Sequence, residues 1–238
     1  MLRLSGLACR PATGRHNVRD FLQPRVLQWA MIAALVSSIA CYPRLAYWPN
    51  RHYVIWYLEA AIFFCGVVLW GFVFAWHTKY TRRPVFTLKV EPMPFLAVTL
   101  IAIAAAVLSH WFLDPSLRPK LPEEYPADLR RWMAWLLFSL GFNKLFLLFA
   151  PFAWSMRLFR NRWVAAALTV LFGIFVLVLK MQSVPVPIAP ALVAAFLASR
   201  VVLGLLAVWF YLRGGVFLIW WWTFLFEARN LFDLTGNP

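Results

Sequence analysis

Continuous apolar runs separated by short polar segments dominate the chain. Seven runs are each near the roughly 20 residues that a helix needs to cross the hydrocarbon of a membrane. They cover residues 26–42, 53–76, 94–113, 132–154, 163–179, 191–212 and 216–234. The runs are continuous rather than alternating, which argues against a transmembrane β-barrel. The pattern predicts an all-α, polytopic transmembrane helical bundle of about seven spans.

Composition strengthens this prediction. Hydrophobic residues make up 63% of the 238 residues and charged residues 13%, against about 45–50% and about 25% in soluble domains. Such a chain has too little polar surface to enclose a water-soluble core. Residues 25–238 are therefore predicted to form one multi-pass domain of a cell membrane, with the lipid bilayer as its partner.

Basic residues indicate the orientation in the membrane. Residues 1–24 contain several arginines and no apolar core of signal-peptide length, which predicts a basic cytoplasmic tail. With the N-terminus inside, the inner connections hold more lysine and arginine than the outer ones, which favours a cytoplasmic N-terminus. The side of the C-terminus stays open. The net charge of +14 lies mainly in these short connections, so no nucleic-acid partner is predicted.

Four charged side chains inside predicted spans are candidates, namely Glu59, Lys144, Arg200 and Glu227, whereas Arg229, near the end of the last run, is counted with the outer connections. A charge inside a membrane is costly, so each is a functional candidate by default. Two acids and two bases permit two neutralising pairs, which would join helices structurally. The alternative is a polar cavity at the centre of the bundle. Its candidate residues are Asn143, Lys144, Arg200, Glu227 and Asn230.

Other reactive side chains carry weaker signals. The three cysteines, Cys9, Cys41 and Cys65, lack a metal-type spacing and are expected to be buried thiols or loop residues. His77 and His110 lie near span ends and are expected at the interface. The Glu123-Glu124 pair predicts a solvated acidic turn. We therefore predict no metal site and assign no catalytic residue from these patterns.

The last two predicted spans carry a family resemblance. Leu203-Gly204-Leu205-Leu206, then Tyr211-Leu212-Arg213-Gly214-Gly215, precede an aromatic helix ending in Asn230. Upstream, Arg160-Asn161-Arg162-Trp163 precedes an apolar helix with Phe172-Gly173. Over about residues 137–231 the chain resembles the CPBP family of CAAX-protease and bacteriocin-processing intramembrane metalloproteases.

That resemblance implies three motifs on separate helices: Glu-Glu-x-x-x-Arg, Phe-x-x-x-His and His-x-x-x-Asn. This chain departs from each of them. In the first motif, Asn143 and Lys144 replace the two glutamates and Leu148 replaces the arginine. In the second motif, Val176 replaces the histidine four residues after Phe172. In the third motif, Phe226 replaces the histidine four residues before Asn230. A protonated lysine cannot ligate a divalent metal, and phenylalanine and valine carry no ligand atom.

The resemblance and these losses together favour a non-catalytic relative that binds or assembles a membrane-protein partner, without a cofactor. A Lys144–Glu227 ion pair is the expected replacement for the catalytic site. Two alternatives stay open. One is an active CPBP-type endopeptidase with displaced residues, which would need a divalent metal such as zinc. The other is a small transporter that uses the intramembrane charges.

Overall fold

Six apolar helices form the bundle in the computed structural model, which describes residues 21–47, 54–81, 84–86, 90–182 and 189–235. Each helix is long and apolar enough to cross a membrane, and the described residues contain no strand. The all-α membrane fold is thus confirmed. The predicted basic tail lies mostly outside the described residues. The helices are α1 (Pro24–Ala46), α2 (Ile55–Thr81), α3 (Pro92–Leu117), α4 (Leu129–Phe159), α5 (Arg162–Gln182) and α6 (Pro190–Leu234).

Helix α6 contains both of the last two predicted spans. At Gly215 the backbone leaves the helical region, with φ 67° and ψ −154°. The rings of Phe210 and Trp222 are 5.1 Å apart, although twelve residues of straight helix would separate them by about 18 Å. Helix α6 therefore folds back at Gly215 into two arms. This accounts for six helices where about seven spans were predicted.

Helices α3 and α4 contain wider π-helical turns. In α3 this turn is Ser109–Leu113, and in α4 the turns are Ser139–Asn143 and Leu145–Phe149. Ordinary α-helix covers Leu129–Phe138 and Ala150–Phe159 on either side. A π turn adds a residue and rotates the faces that follow it, and such turns are frequent at functional sites. Lys144 lies between the two π turns of α4.

Several helix ends lie beyond their predicted positions. Helix α1 continues through Pro43 to Ala46, and α2 continues to Thr81, beyond the predicted span ends at residues 42 and 76. Proline removes only one helical donor, and Pro43 lies in the last turn of α1. Backbone groups near a membrane have few partners outside their own helix, which favours helix over loop.

Small residues let α1 and α2 approach closely, and a Cβ added at Gly66 would lie 3.2 Å from the Ala34 Cβ. Close approach between small residues is a common way of packing membrane helices. The Trp70 indole donates to Ser37 Oγ at 3.0 Å in the same interface. His77 is buried against its neighbouring helices, and its Nδ1 lies 2.6 Å from the Tyr211 hydroxyl oxygen. This hydrogen bond joins α2 to the first arm of α6.

Three tryptophans fix the second arm of α6 against α3 and α4. Trp132 Nε1 donates to the Glu227 carbonyl at 2.9 Å, and Trp220 Nε1 donates to the Leu140 carbonyl at 3.0 Å. Trp221 Nε1 donates to the Thr99 hydroxyl at 3.0 Å. Because the bonds lie along the arm, they set both its depth and its rotation. They thereby position the charged residues at its end.

Candidate functional site

The charged residues of the bundle gather around the end of the second arm of α6. Asn230 Nδ2 donates to Glu227 Oε2 at 3.2 Å, and Arg229 Nη1 lies 3.9 Å from the same oxygen. Asn230 is buried, while Glu227 and Arg229 are half-buried. Residues three apart in a helix lie on one side. The carboxylate of Glu227 is therefore the anionic centre of this group.

Two further cations interact with this centre, one from α4 and one from the first arm of α6. Lys144 of α4 interacts electrostatically with Glu227, Arg200 and Arg229. Arg200, on the first arm of α6, interacts with Arg229 and Glu227. We call Lys144, Arg200, Glu227, Arg229 and Asn230 the charged cluster. Four of its members were predicted, and the fold-back of α6 brings Arg200 beside the others.

The expected ion pair between Lys144 and Glu227 is a longer-range interaction. Among the described residues, no carboxylate oxygen lies within 4.0 Å of the Lys144 amine, and the close partners of Glu227 are Arg229 and Asn230. Asn143, beside Lys144, is half-buried and has no hydrogen bond from its side chain to another described residue. The predicted residues thus share a region without forming the predicted pair.

Arg229 was not among the predicted site residues, because a charge near the end of an apolar run is typical of a connection outside the membrane. Its Nε donates to Asp114 Oδ2 at 3.0 Å, and its Nη1 donates to the Phe226 carbonyl at 2.8 Å. Its guanidinium carbon lies 4.1 Å from the centre of the Phe226 ring. The sequence feature that could have identified Arg229 as a site residue is its position inside the last predicted span. Asp114, the expected start of a polar connection, is buried in α3.

A polar rim surrounds the Asp114 carboxylate. The Tyr125 hydroxyl donates to Asp114 Oδ1 at 2.9 Å. Burial raises the pKa of Tyr125, and the nearby negative charge of Asp114 raises it further. Arg118 forms an ion pair with Asp233, and this hydrogen bond raises the pKa of Arg118. His110 Nδ1 lies 3.8 Å from Asp233 Oδ2, with the side chain 28% exposed.

Glu59 and Glu124, two acidic residues considered in the sequence analysis, lie outside the charged cluster. The Glu59 carboxylate accepts a hydrogen bond from Ser38 Oγ at 2.8 Å. No cation of the described residues lies within 4.0 Å of Glu59, so the two neutralising pairs that the sequence permitted are not formed. Glu124 forms an ion pair with Lys180. Glu124 thus lies in a turn, as predicted, and is half-buried with a cation partner.

The remaining reactive groups are potential metal ligands and cysteine thiols. Within the described ranges, no three histidine, cysteine, aspartate or glutamate residues form a group able to hold a metal ion. Cys41 is buried and Cys65 is half-buried, and both are free thiols. Cys9 lies outside the described residues.

The fold and the comparisons with known proteins together define a multi-pass integral membrane protein. The chain is 32% identical over 115 residues to inner membrane protein YtfF of Escherichia coli strain K12. The matched part covers 44% of this chain and 35% of that protein, so the chain spans about a third of its relative. No family model matches the chain, and no solved structure matches it.

Proposed function

We propose that this membrane protein is a non-catalytic binding protein whose charged cluster holds an anionic group of a membrane ligand or partner. One observation carries the proposal. Lys144, Arg200 and Arg229 all interact with the carboxylate of Glu227 in a bundle of apolar helices, and only Arg229 also pairs with a second carboxylate, that of Asp114. Excess positive charge within a membrane is costly unless it is paired. An anion from outside the chain supplies the missing partner.

The residues at the CPBP-like positions support binding rather than hydrolysis. Asn143 and Lys144 stand where that family has two glutamates, and Phe226 stands where it has histidine. Metal-assisted peptide hydrolysis needs ligands and an activated water, and these side chains supply neither. The proposed relationship to the family rests on the resemblance over residues 137–231. The proposed cytoplasmic N-terminus rests on the distribution of lysine and arginine.

A panel of amphiphiles tests the binding role. The purified protein, in neutral detergent, is mixed with an alkyl carboxylate, sulfonate or phosphate of one chain length, with an alkyl glucoside as the uncharged control. At least one anion is expected to raise the melting temperature, because a ligand of the folded state stabilises it. The shift is expected to disappear in Arg200→Gln and to persist in Arg162→Gln, which removes an exposed arginine outside the cluster.

A peptidase assay tests the absence of catalysis. Peptides with a prenylated C-terminal motif, and apolar membrane peptides, are incubated with the protein with and without added zinc, and products are identified by mass spectrometry. The expected result is no cleavage above that of the detergent control. Cleavage by the wild type that is lost in Glu227→Gln would overturn the proposal in favour of a displaced active site. Failure of all anions to bind would also overturn it.

A further inference from the structure

The charge balance of the cluster is incomplete. Arg229 is neutralised by Asp114 at 3.0 Å and also contacts Glu227 at 3.9 Å. Lys144 and Arg200 then have only Glu227 as a nearby carboxylate, at longer range. Three cations and two carboxylates leave one positive charge without a counter-charge in this part of the described structure. This surplus of one positive charge fits a ligand that carries a single negative charge.

Arg200 is one of the two cations without a close carboxylate. The residue is exposed, and its guanidinium carbon lies 5.0 Å from the centre of the Phe196 ring. No carboxylate of the described residues lies within ion-pair distance of it. Guanidinium offers paired donors that match the oxygens of a phosphate group. At the surface of a membrane helix, the phosphodiester of a lipid is the most abundant such anion.

Asn230 provides a second, independent observation. Its Nδ2 is used by Glu227, whereas its Oδ1 is buried and lacks a hydrogen-bond partner among the described residues. The residue is 3% exposed. A buried acceptor left without a hydrogen bond destabilises the folded state. A ligand hydroxyl beside the anionic group would donate to this oxygen.

From these observations we infer that the charged cluster binds a phosphate monoanion that carries or adjoins a hydroxyl group, between Arg200 and Lys144. Its source is either the head group of an anionic lipid or free phosphate. This inference rests on the proposed function, since it names the ligand class of the same site. The single surplus charge selects a head group with net charge −1 over a zwitterionic one.

Lipid binding to the full chain tests the inference. The purified protein in neutral detergent receives phosphatidylglycerol, phosphatidylcholine or inorganic phosphate, with chloride at matched ionic strength. Melting temperature and the mass of the intact complex are measured. We expect saturable binding of one phosphatidylglycerol and a melting-temperature rise that phosphatidylcholine does not give. Competition by inorganic phosphate would instead identify free phosphate as the source.

Variants locate the site. Arg200→Gln and Lys144→Gln are each expected to weaken phosphatidylglycerol binding about tenfold, the effect of one lost charge-assisted hydrogen bond. Arg162→Gln should bind like the wild type. If Arg200→Gln fails to fold, Arg200→Lys keeps the charge but loses the paired donors, and it should bind more weakly than the wild type.

Three outcomes would overturn the phosphate assignment. One is equal binding of phosphatidylglycerol and phosphatidylcholine by the wild type, and another is unchanged phosphatidylglycerol binding in a folded Arg200 variant. The third is binding of the alkyl carboxylate but of no phosphate, which would leave the proposed function intact. Peptide cleavage would overturn the proposed function itself.

Discussion

Replacing Gly215 by alanine tests whether α6 folds back as described. The residue has φ 67° and ψ −154°, a region that is almost restricted to glycine because a Cβ atom clashes with the backbone there. Alanine must either hold this strained conformation or straighten the turn. Straightening would separate Phe210 from Trp222 and remove Arg200 from the charged cluster.

The structure sets the expected magnitude. Holding a side chain in this region costs of order 1–3 kcal/mol. Gly173, in α5, is the matched control, since a Cβ added there meets no atom within 4 Å. Alanine in place of a helical glycine stabilises by roughly 0.5–1 kcal/mol. The two alanine variants should therefore differ by about 1.5–4 kcal/mol, with opposite signs relative to the wild type.

A third variant separates backbone strain from crowding. A Cβ at Gly214 would lie 2.8 Å from the Leu218 Cβ, so Gly214→Ala should destabilise through overpacking, by about 1–3 kcal/mol. Gly215→Ala should instead act through backbone conformation. Leu218→Ala removes the Cδ2 atom at 2.7 Å but keeps the Cβ, so in a double-mutant cycle it should reduce the penalty of Gly214→Ala and leave the penalty of Gly215→Ala unchanged.

Reversible unfolding in mixed detergent micelles, followed by tryptophan fluorescence, measures these differences. A Gly215→Ala variant as stable as the wild type would show that the residue does not adopt the described conformation. Equal destabilisation by Gly173→Ala and Gly215→Ala would show that any added methyl group perturbs the bundle. Either result would refute the argument from the backbone angles.

Three further predictions follow from single contacts. Trp132→Phe should cost about 1 kcal/mol in unfolding free energy through loss of the bond to the Glu227 carbonyl, whereas exposed Trp111→Phe should change little. Tyr211→Phe should cost about 1–3 kcal/mol because His77 Nδ1 loses its partner, with exposed Tyr57→Phe as the control. Burial and Asp114 raise the pKa of Tyr125. Above about pH 10 the Tyr125 hydroxyl therefore loses its proton more readily in the unfolded chain than in the folded one, so the free energy of unfolding falls as pH rises. Unfolding titrations at several alkaline pH values should show a shallower fall in Tyr125→Phe. An equal slope of unfolding free energy against pH in the wild type and in Tyr125→Phe would contradict the raised pKa of Tyr125.

The positions of the spans were predictable because hydrocarbon demands long apolar helices. The turn before the last arm was also predictable from Gly214-Gly215. Packing faces were not, since a lipid-facing helix is apolar all round and lacks the polar side that orients a soluble helix. The π turns beside Lys144 shift the helical register further. Simple helical spacing therefore does not give the direction of the Lys144 side chain.

The charged cluster was only partly predictable for a related reason. Intramembrane charges are conspicuous in an apolar sequence, so Lys144, Arg200 and Glu227 were found directly. Arg229 and Asp114 lie near helix ends, where charges usually contact water or lipid head groups, and this position concealed their mutual ion pair. Long-range pairs of this kind depend on how the helices meet, which composition alone does not specify.

The hydrogen bond between His77 and Tyr211 joins a helix that is made early in synthesis to one that is made late. The partners are 134 positions apart, so the ribosome completes α2 long before it makes α6. During that interval Nδ1 of His77 lacks the hydroxyl that later pairs with it, and an unpaired polar group in the bilayer costs free energy. The hydrogen bond between α2 and α6 therefore forms only after the first arm of α6 has been made.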